Sequence, residues 1–108
     1  MKMNKKERKI LEEKFSIYED ENGYELEDWT SGGVDMIIYL HKEDDRFNSI
    51  TEQFRYYVES FDIDEEIDIH RQAEDYRNAF SCRESVRDFE DWAEYIEDIA
   101  KELEKVGK

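Results

Sequence analysis

Three stretches of the chain contain no Lys or Arg and gather carboxylates. Phe15 to His41 holds Glu19, Asp20, Glu21, Glu25, Glu27, Asp28 and Asp35; Glu59 to His70 holds Glu59, Asp62, Asp64, Glu65, Glu66 and Asp68; Asp88 to Ala100 holds Asp88, Glu90, Asp91, Glu94, Glu97 and Asp98. Carboxylates at such density can ligate hard cations, move protons, or imitate the phosphates of a nucleic acid. The run Asp62-Ile63-Asp64-Glu65-Glu66-Ile67-Asp68 approaches a calcium loop. It lacks the central Gly and the spaced final Glu of an EF-hand, and apolar residues interrupt it. Its other reading is a capped acidic turn whose Ile63 and Ile67 dock inward. No carboxylate pair suited to general acid/base work stands out from so many acids.

Other chemistry is thinly represented. His41 and His70 are the only histidines and have no metal-ligand spacing. The single Cys82 excludes an internal disulfide and opens a helix, where it reads as a buried structural thiol. Phosphate-binding, dinucleotide and nucleophile-elbow motifs are absent from the sequence. The expectation is a non-enzymatic protein with no metal and no cofactor. Tyr56, Tyr57, Phe61, Tyr76, Phe80, Trp92 and Tyr95 could stack bases, as in single-strand binders, but those also need a basic groove. Core and protein-contact roles are expected instead. Trp29, just before Thr30-Ser31-Gly32-Gly33, reads as packing at the sheet end or as a contact hot spot.

The formal net charge is -15 in 108 residues. Met1 to Lys14 carries six basic and three acidic residues, whereas the rest carries 28 acidic and 10 basic, so a -18 body follows a +3 head. Such a body repels nucleic acid and membrane phosphates and attracts basic protein surfaces. The expected partner is the basic groove of a nucleic-acid-binding protein; direct DNA binding by the acidic body and membrane binding are not expected. Phosphates recur every ~3.4 Å along one strand, a spacing that carboxylates on helix turns and strand edges can approximate. The candidate contact residues are Glu25, Glu27, Asp28, Trp29, Asp62, Asp64, Glu65, Glu66, Asp68, Asp91, Glu94 and Asp98. The competing reading is a solvated face that aids solubility.

Charged residues are 44% and apolar residues 38%, a balance that leans towards disorder, but aromatics are 14% and the apolar residues are periodic. One folded domain is expected over residues 1–108. No apolar run nears the ~20 residues of a membrane span. The basic start is not followed by the hydrophobic stretch of a secretory signal. A cytoplasmic protein is expected.

The elements follow from pattern. Asn4 to Lys14 favours helix with Asn4 as N-cap, docked through Ile10 and Leu11. Phe15 to Tyr18 and Tyr24 to Glu27 alternate around Asn22-Gly23, which predicts a type I′ hairpin with positive φ at both residues. Val34 to Leu40 is the most apolar run and predicts an inner strand, with Val34, Met36, Ile38 and Leu40 facing the core and Asp35, Ile37 and Tyr39 opposite. Ser49 with Glu52 has capping-box spacing, and Ile50, Phe54, Tyr57, Val58 and Phe61 recur at helical intervals. Asp62 to Ile69 fits a short helix or a connector, and Gln72 to Phe80 a further short helix. Ser81 with Glu84 again has capping-box spacing before a helix over Cys82 to Val106, whose stripe runs through Val86, Phe89, Trp92, Ala93, Ile96, Ile99, Ala100, Leu103 and Val106 up to Gly107 as C-cap. The fold class is α+β: a short N-terminal helix, a three-stranded antiparallel β-meander, then two main helices on one face, with a short helix allowed between them.

The stretch Tyr57-Val58-Glu59-Ser60-Phe61-Asp62-Ile63-Asp64-Glu65-Glu66-Ile67, followed by His70-Arg71, resembles small proteins of phages and conjugative elements of gut Firmicutes. Ser85-Val86-Arg87-Asp88-Phe89-Glu90-Asp91-Trp92 is similar to their later helix, and the resemblance extends over about Asp28 to Leu103. Small acidic proteins on such elements include anti-CRISPR and DNA-mimicking anti-restriction proteins. The resemblance implies an inhibitor of host defence, acting in the bacterial cytoplasm on a Cas9-type nuclease or a restriction enzyme. It transfers no site residue. The positive Met1 to Lys14 segment departs from a pure DNA mimic and leaves contact with guide RNA or an acidic protein patch open. The alternative is a homodimeric regulatory module paired through the Val86 to Val106 stripe; the oligomeric expectation is monomer or homodimer.

Overall fold

Asn4 starts the first helix as expected, α1 (Lys5–Lys14), in a computed structural model that describes residues 2–29, 35–65, 68 and 82–106. The Asn4 side chain accepts the Glu7 N–H at 2.8 Å and the Glu7 carboxylate accepts the Asn4 N–H at 2.9 Å. This reciprocal box satisfies two of the donors every helix start leaves open. A helix this short is marginal alone, and Leu11 anchors it in the core. Phe15 ends it in extended backbone, its N–H bonded to the Leu11 carbonyl.

Strands β1 (Ser16–Glu19), β2 (Gly23–Trp29) and β3 (Asp35–His41) form the antiparallel meander in the order β1-β2-β3. Leu26 lies between Ile17 and Ile38, and Tyr24 pairs with Leu40. Met36, Ile38 and Leu40 are buried with Tyr24 and Leu26, so the alternation places the apolar face inward. The hairpin turn differs from the type I′ expectation. Asp20 and Gly23 close it through the Asp20 N–H and the Gly23 carbonyl at 3.0 Å, leaving Glu21 and Asn22 at its tip. The Asp20 carboxylate accepts the N–H groups of Asn22 and Gly23, so a side chain organises the turn. Gly23 does not have a positive φ. A Cβ there would overlap the Leu40 carbonyl oxygen and stand 3.0 Å from the His41 Cα. The glycine is required by the close approach of β3.

Ser49 caps α2 (Ile50–Ser60) by accepting the Glu52 N–H at 3.1 Å. The return half of the box is displaced by one residue, since the Glu52 carboxylate takes the Asn48 N–H. Helix α3 (Cys82–Val106) has the expected bounds. Its stripe of Phe89, Trp92, Ile96, Ile99, Ala100 and Leu103 is buried. Phe15 is the hinge of the core, with ring centroids 6.4 Å from Phe54, 6.0 Å from Trp92 and 6.1 Å from Tyr95. Residues 63–65 are helical. Among the described residues no helix is long and apolar enough to cross a membrane. The turn at Thr30 to Gly33, the inward docking of Val34 and Ile67, the helix over Gln72 to Phe80, the Ser81/Glu84 box, the burial of Cys82 and the Gly107 cap lie outside what is described.

Two polar contacts bind α2 to β3 and to α3. Gln53 is buried, accepts the His41 N–H at 2.9 Å and donates to the His41 carbonyl at 2.6 Å. Its carboxamide thus occupies the free edge of β3 as another strand's peptide group would. Arg55 bridges α2 and α3, donating to Glu104 at 2.8 Å and Glu97 at 2.9 Å. Both carboxylates, Glu104 foremost, raise its pKa further. Arg55→Ala removes the shared cation of two partly exposed acids, so it should cost about 1–2 kcal/mol rather than the larger loss of a fully buried pair. Urea unfolding at constant m measures this, and an unchanged midpoint contradicts it.

Candidate functional site

The candidate acids divide by what they touch. On β2, Glu25 is exposed and Glu27 half-buried, and by alternation both stand on the outer sheet face. Asp28 stands on the inner side, half-buried; after burial itself, it is the next cause that raises the pKa of Tyr95. Trp29 ends β2 with its backbone paired to Asp35; its side chain, and so its hot-spot reading, lies outside the described residues, as does Glu66.

Within Phe15 to His41 the carboxylates are partly neutralised by cations from outside that stretch. Glu19 receives Arg8 at 2.8 Å and Lys42 at 2.8 Å. The hydrogen bond from Lys42, then that from Arg8, holds its carboxyl below the usual range. Both cations also lie over the Tyr24 ring, at 5.8 Å and 5.3 Å from its centroid. The Tyr24 hydroxyl accepts the Met3 N–H at 3.1 Å. One end of the basic head is therefore tied to the sheet, while Lys2, Lys5, Lys6 and Lys9 remain exposed. Asp20 is engaged in its turn. Asp44 is likewise engaged, held down to about 2 chiefly by hydrogen bonds from Arg46.

In the second stretch, Asp62 accepts the N–H groups of Asp64 and Glu65 at 3.0 Å and 3.3 Å. It is a helix cap, and Ile63 packs against the core, which is the capped-turn reading. Asp64, Glu65 and Asp68 are exposed. Among the described residues no three His, Cys, Asp or Glu side chains converge as metal ligands do.

On α3, Glu97 and Glu104 turn to Arg55, whereas Asp91, Glu94 and Asp98 are exposed and have no ion-pair partner among the described residues. They follow one another at i, i+3 and i+7 and so share a face. That face and the outer sheet face do not merge: Leu26 and Ile38 of the sheet and Ile96 and Ile99 of the helix belong to one core between them. The acids form separate patches on different sides of the molecule.

Sequence reasoning missed two features. Tyr39 stands opposite the core as expected, but its row was not foreseen: Tyr18 and Tyr39, 58% and 59% exposed on the outer sheet face, flank Glu25 across the strands. The alternation of β1 and β3 contained that signal. Glu7, only 2% exposed, accepts the Thr51 N–H at 2.9 Å and the Thr51 hydroxyl at 2.7 Å; no local pattern reveals that partner.

Comparison with protein-family models gave no match, and neither curated proteins nor solved structures matched the chain.

Proposed function

We propose that the chain is a non-enzymatic inhibitor that occupies the basic groove of a nucleic-acid-handling enzyme, a Cas9-type nuclease or a restriction enzyme, in the bacterial cytoplasm. The observation that supports this most is the exposed acidic face of α3, which has no ion-pair partner among the described residues. Asp91, Glu94 and Asp98 stay exposed while Glu97 and Glu104 on the same helix are consumed by Arg55. At 1.5 Å rise per residue their axial spacings are about 4.5 and 6 Å, within a factor of two of the ~3.4 Å between phosphates along one strand. Like charges this close cost a helix a few tenths of a kcal/mol per pair, so their retention without interleaved Lys favours use of the field. The Cas9-type target rests on the phage-protein resemblance. The homodimer alternative is the less favoured reading, because Phe89, Trp92, Ile96, Ile99, Ala100 and Leu103 of the stripe it would use are buried in the chain's own core.

The test is target-DNA binding by a guide-loaded Cas9-type complex with the purified chain added. Inhibition is expected, weakening as salt rises because exposed charges are screened beyond ~8–10 Å. The triple variant Asp91→Lys, Glu94→Lys, Asp98→Lys should keep the helical circular-dichroism spectrum and inhibit at least tenfold less. Inhibition indifferent to salt and to the triple variant overturns the mimicry.

A further inference from the structure

The geometry points to the outer face of the sheet as a docking surface for an arginine-bearing extended segment of a basic partner protein, with one guanidinium seated over Glu25 between Tyr18 and Tyr39. This rests on the reading above that the partner is basic, and specifies where and by which side chain it is held. Tyr18, Glu25 and Tyr39 are register partners across β1, β2 and β3. Two strand spacings of ~4.8 Å put the tyrosines roughly 10 Å apart with the carboxylate midway. A shallow depression of about 200 Å³ beside this row is lined by all three and by His41.

The protein's own contacts show what such rings accept. Arg8 and Lys42 lie over Tyr24, and Arg46 lies over Phe47 and Tyr56 at 5.1 Å and 5.5 Å. Tyr18 and Tyr39 are more exposed than Tyr56, yet among the described residues no cation covers either. None can come from the strands themselves, since Phe15 to His41 contains no Lys or Arg. The same absence fixes the sign of the occupant: a face bearing Glu25 and Glu27 without a Lys or Arg from its strands is complementary to positive charge. Glu19 and Asp20 are already engaged, so Glu25 is the carboxylate left at the centre of the row. Two rings and one carboxylate favour guanidinium over ammonium, because the planar group stacks on aromatic faces and hydrogen-bonds through a fork.

Two capped peptides, Gly-Arg-Gly-Arg-Gly and Gly-Lys-Gly-Lys-Gly, are titrated into the full chain at low salt and followed by NMR. The arginine peptide should shift the Tyr18, Glu25 and Tyr39 signals first and bind roughly fivefold tighter than the lysine peptide. Tyr18→Ser with Tyr39→Ser should abolish that preference, and Glu25→Gln, which barely perturbs the strand, should weaken both peptides at this face. Equal binding of the two peptides with shifts centred on Asp91, Glu94 and Asp98 overturns the sheet site while leaving a basic partner standing. No shift with either peptide anywhere on the protein overturns both readings.

Discussion

Glu7→Gln should destabilise the protein by about 2 kcal/mol and Glu7→Ala by about 3 kcal/mol, a fall in melting temperature of roughly 10 °C or more for a domain of this size. The usual intuition makes Gln a mild replacement for Glu. Here both carboxylate oxygens accept: Oε1 takes the Asn4 N–H, and Oε2 takes the Thr51 N–H and hydroxyl. A carboxamide has one acceptor and one donor end, so either orientation turns NH₂ against an N–H. The site is nearly closed to solvent, so the orphaned donors cannot recover their bonds in water. Glu7 also serves two helices. It completes the capping box of α1, and at Thr51 it places negative charge at the start of α2, where open N–H groups and the helix dipole favour it. Its loss should loosen α1 and α2 together, seen as accelerated amide exchange at both Glu7 and Thr51. A Glu7→Gln protein as stable as the parent contradicts this account.

The contrast between Asn4 and Glu7 marks where sequence reading ends. Asn4 as N-cap, the inner face of β3 and the buried stripe of α3 each depend on residues within a turn or two of one another, so composition and period reveal them. Glu7 looks like an ordinary surface acid because its second partner is 44 residues away. The acidic stretches fail for the same reason. A run without Lys or Arg seems unneutralised along the chain, yet Arg8 and Lys42 fold onto Glu19, and Arg55 onto Glu97 and Glu104. Charge counted along a sequence exceeds the charge left for a partner in space. The patch that survives on α3 is smaller than its sequence cluster. The Tyr18, Glu25, Tyr39 row requires the register of three strands, which only the turns and hydrogen bonds set.

Gly23→Ala should cost about 2–3 kcal/mol, in the range of an overpacked interior site. Asn-Gly in a hairpin ordinarily signals positive φ, and on that basis Gly23→Asn would be the mildest change, since Asn tolerates the left-handed region better than Ala. The structure predicts the reverse ordering. Gly23 is the first residue of β2, opposite His41, and what excludes a side chain is the Leu40 carbonyl oxygen. Any Cβ meets it, so Asn should be no better than Ala, and its larger side chain should make it worse. The clash is with backbone, which cannot rotate away; relief requires β3 to move off β2 at this end. That movement would disturb the Lys42 N–H bond to the Asn22 carbonyl at 2.9 Å and the Gln53 pairing with His41. It would also shift Tyr39 relative to Glu25, two residues along from Gly23. Thermal unfolding of Gly23→Ala and Gly23→Asn decides between the two roles of the glycine: Asn clearly more stable than Ala restores the dihedral explanation, and Asn equal or worse establishes the close approach of β3.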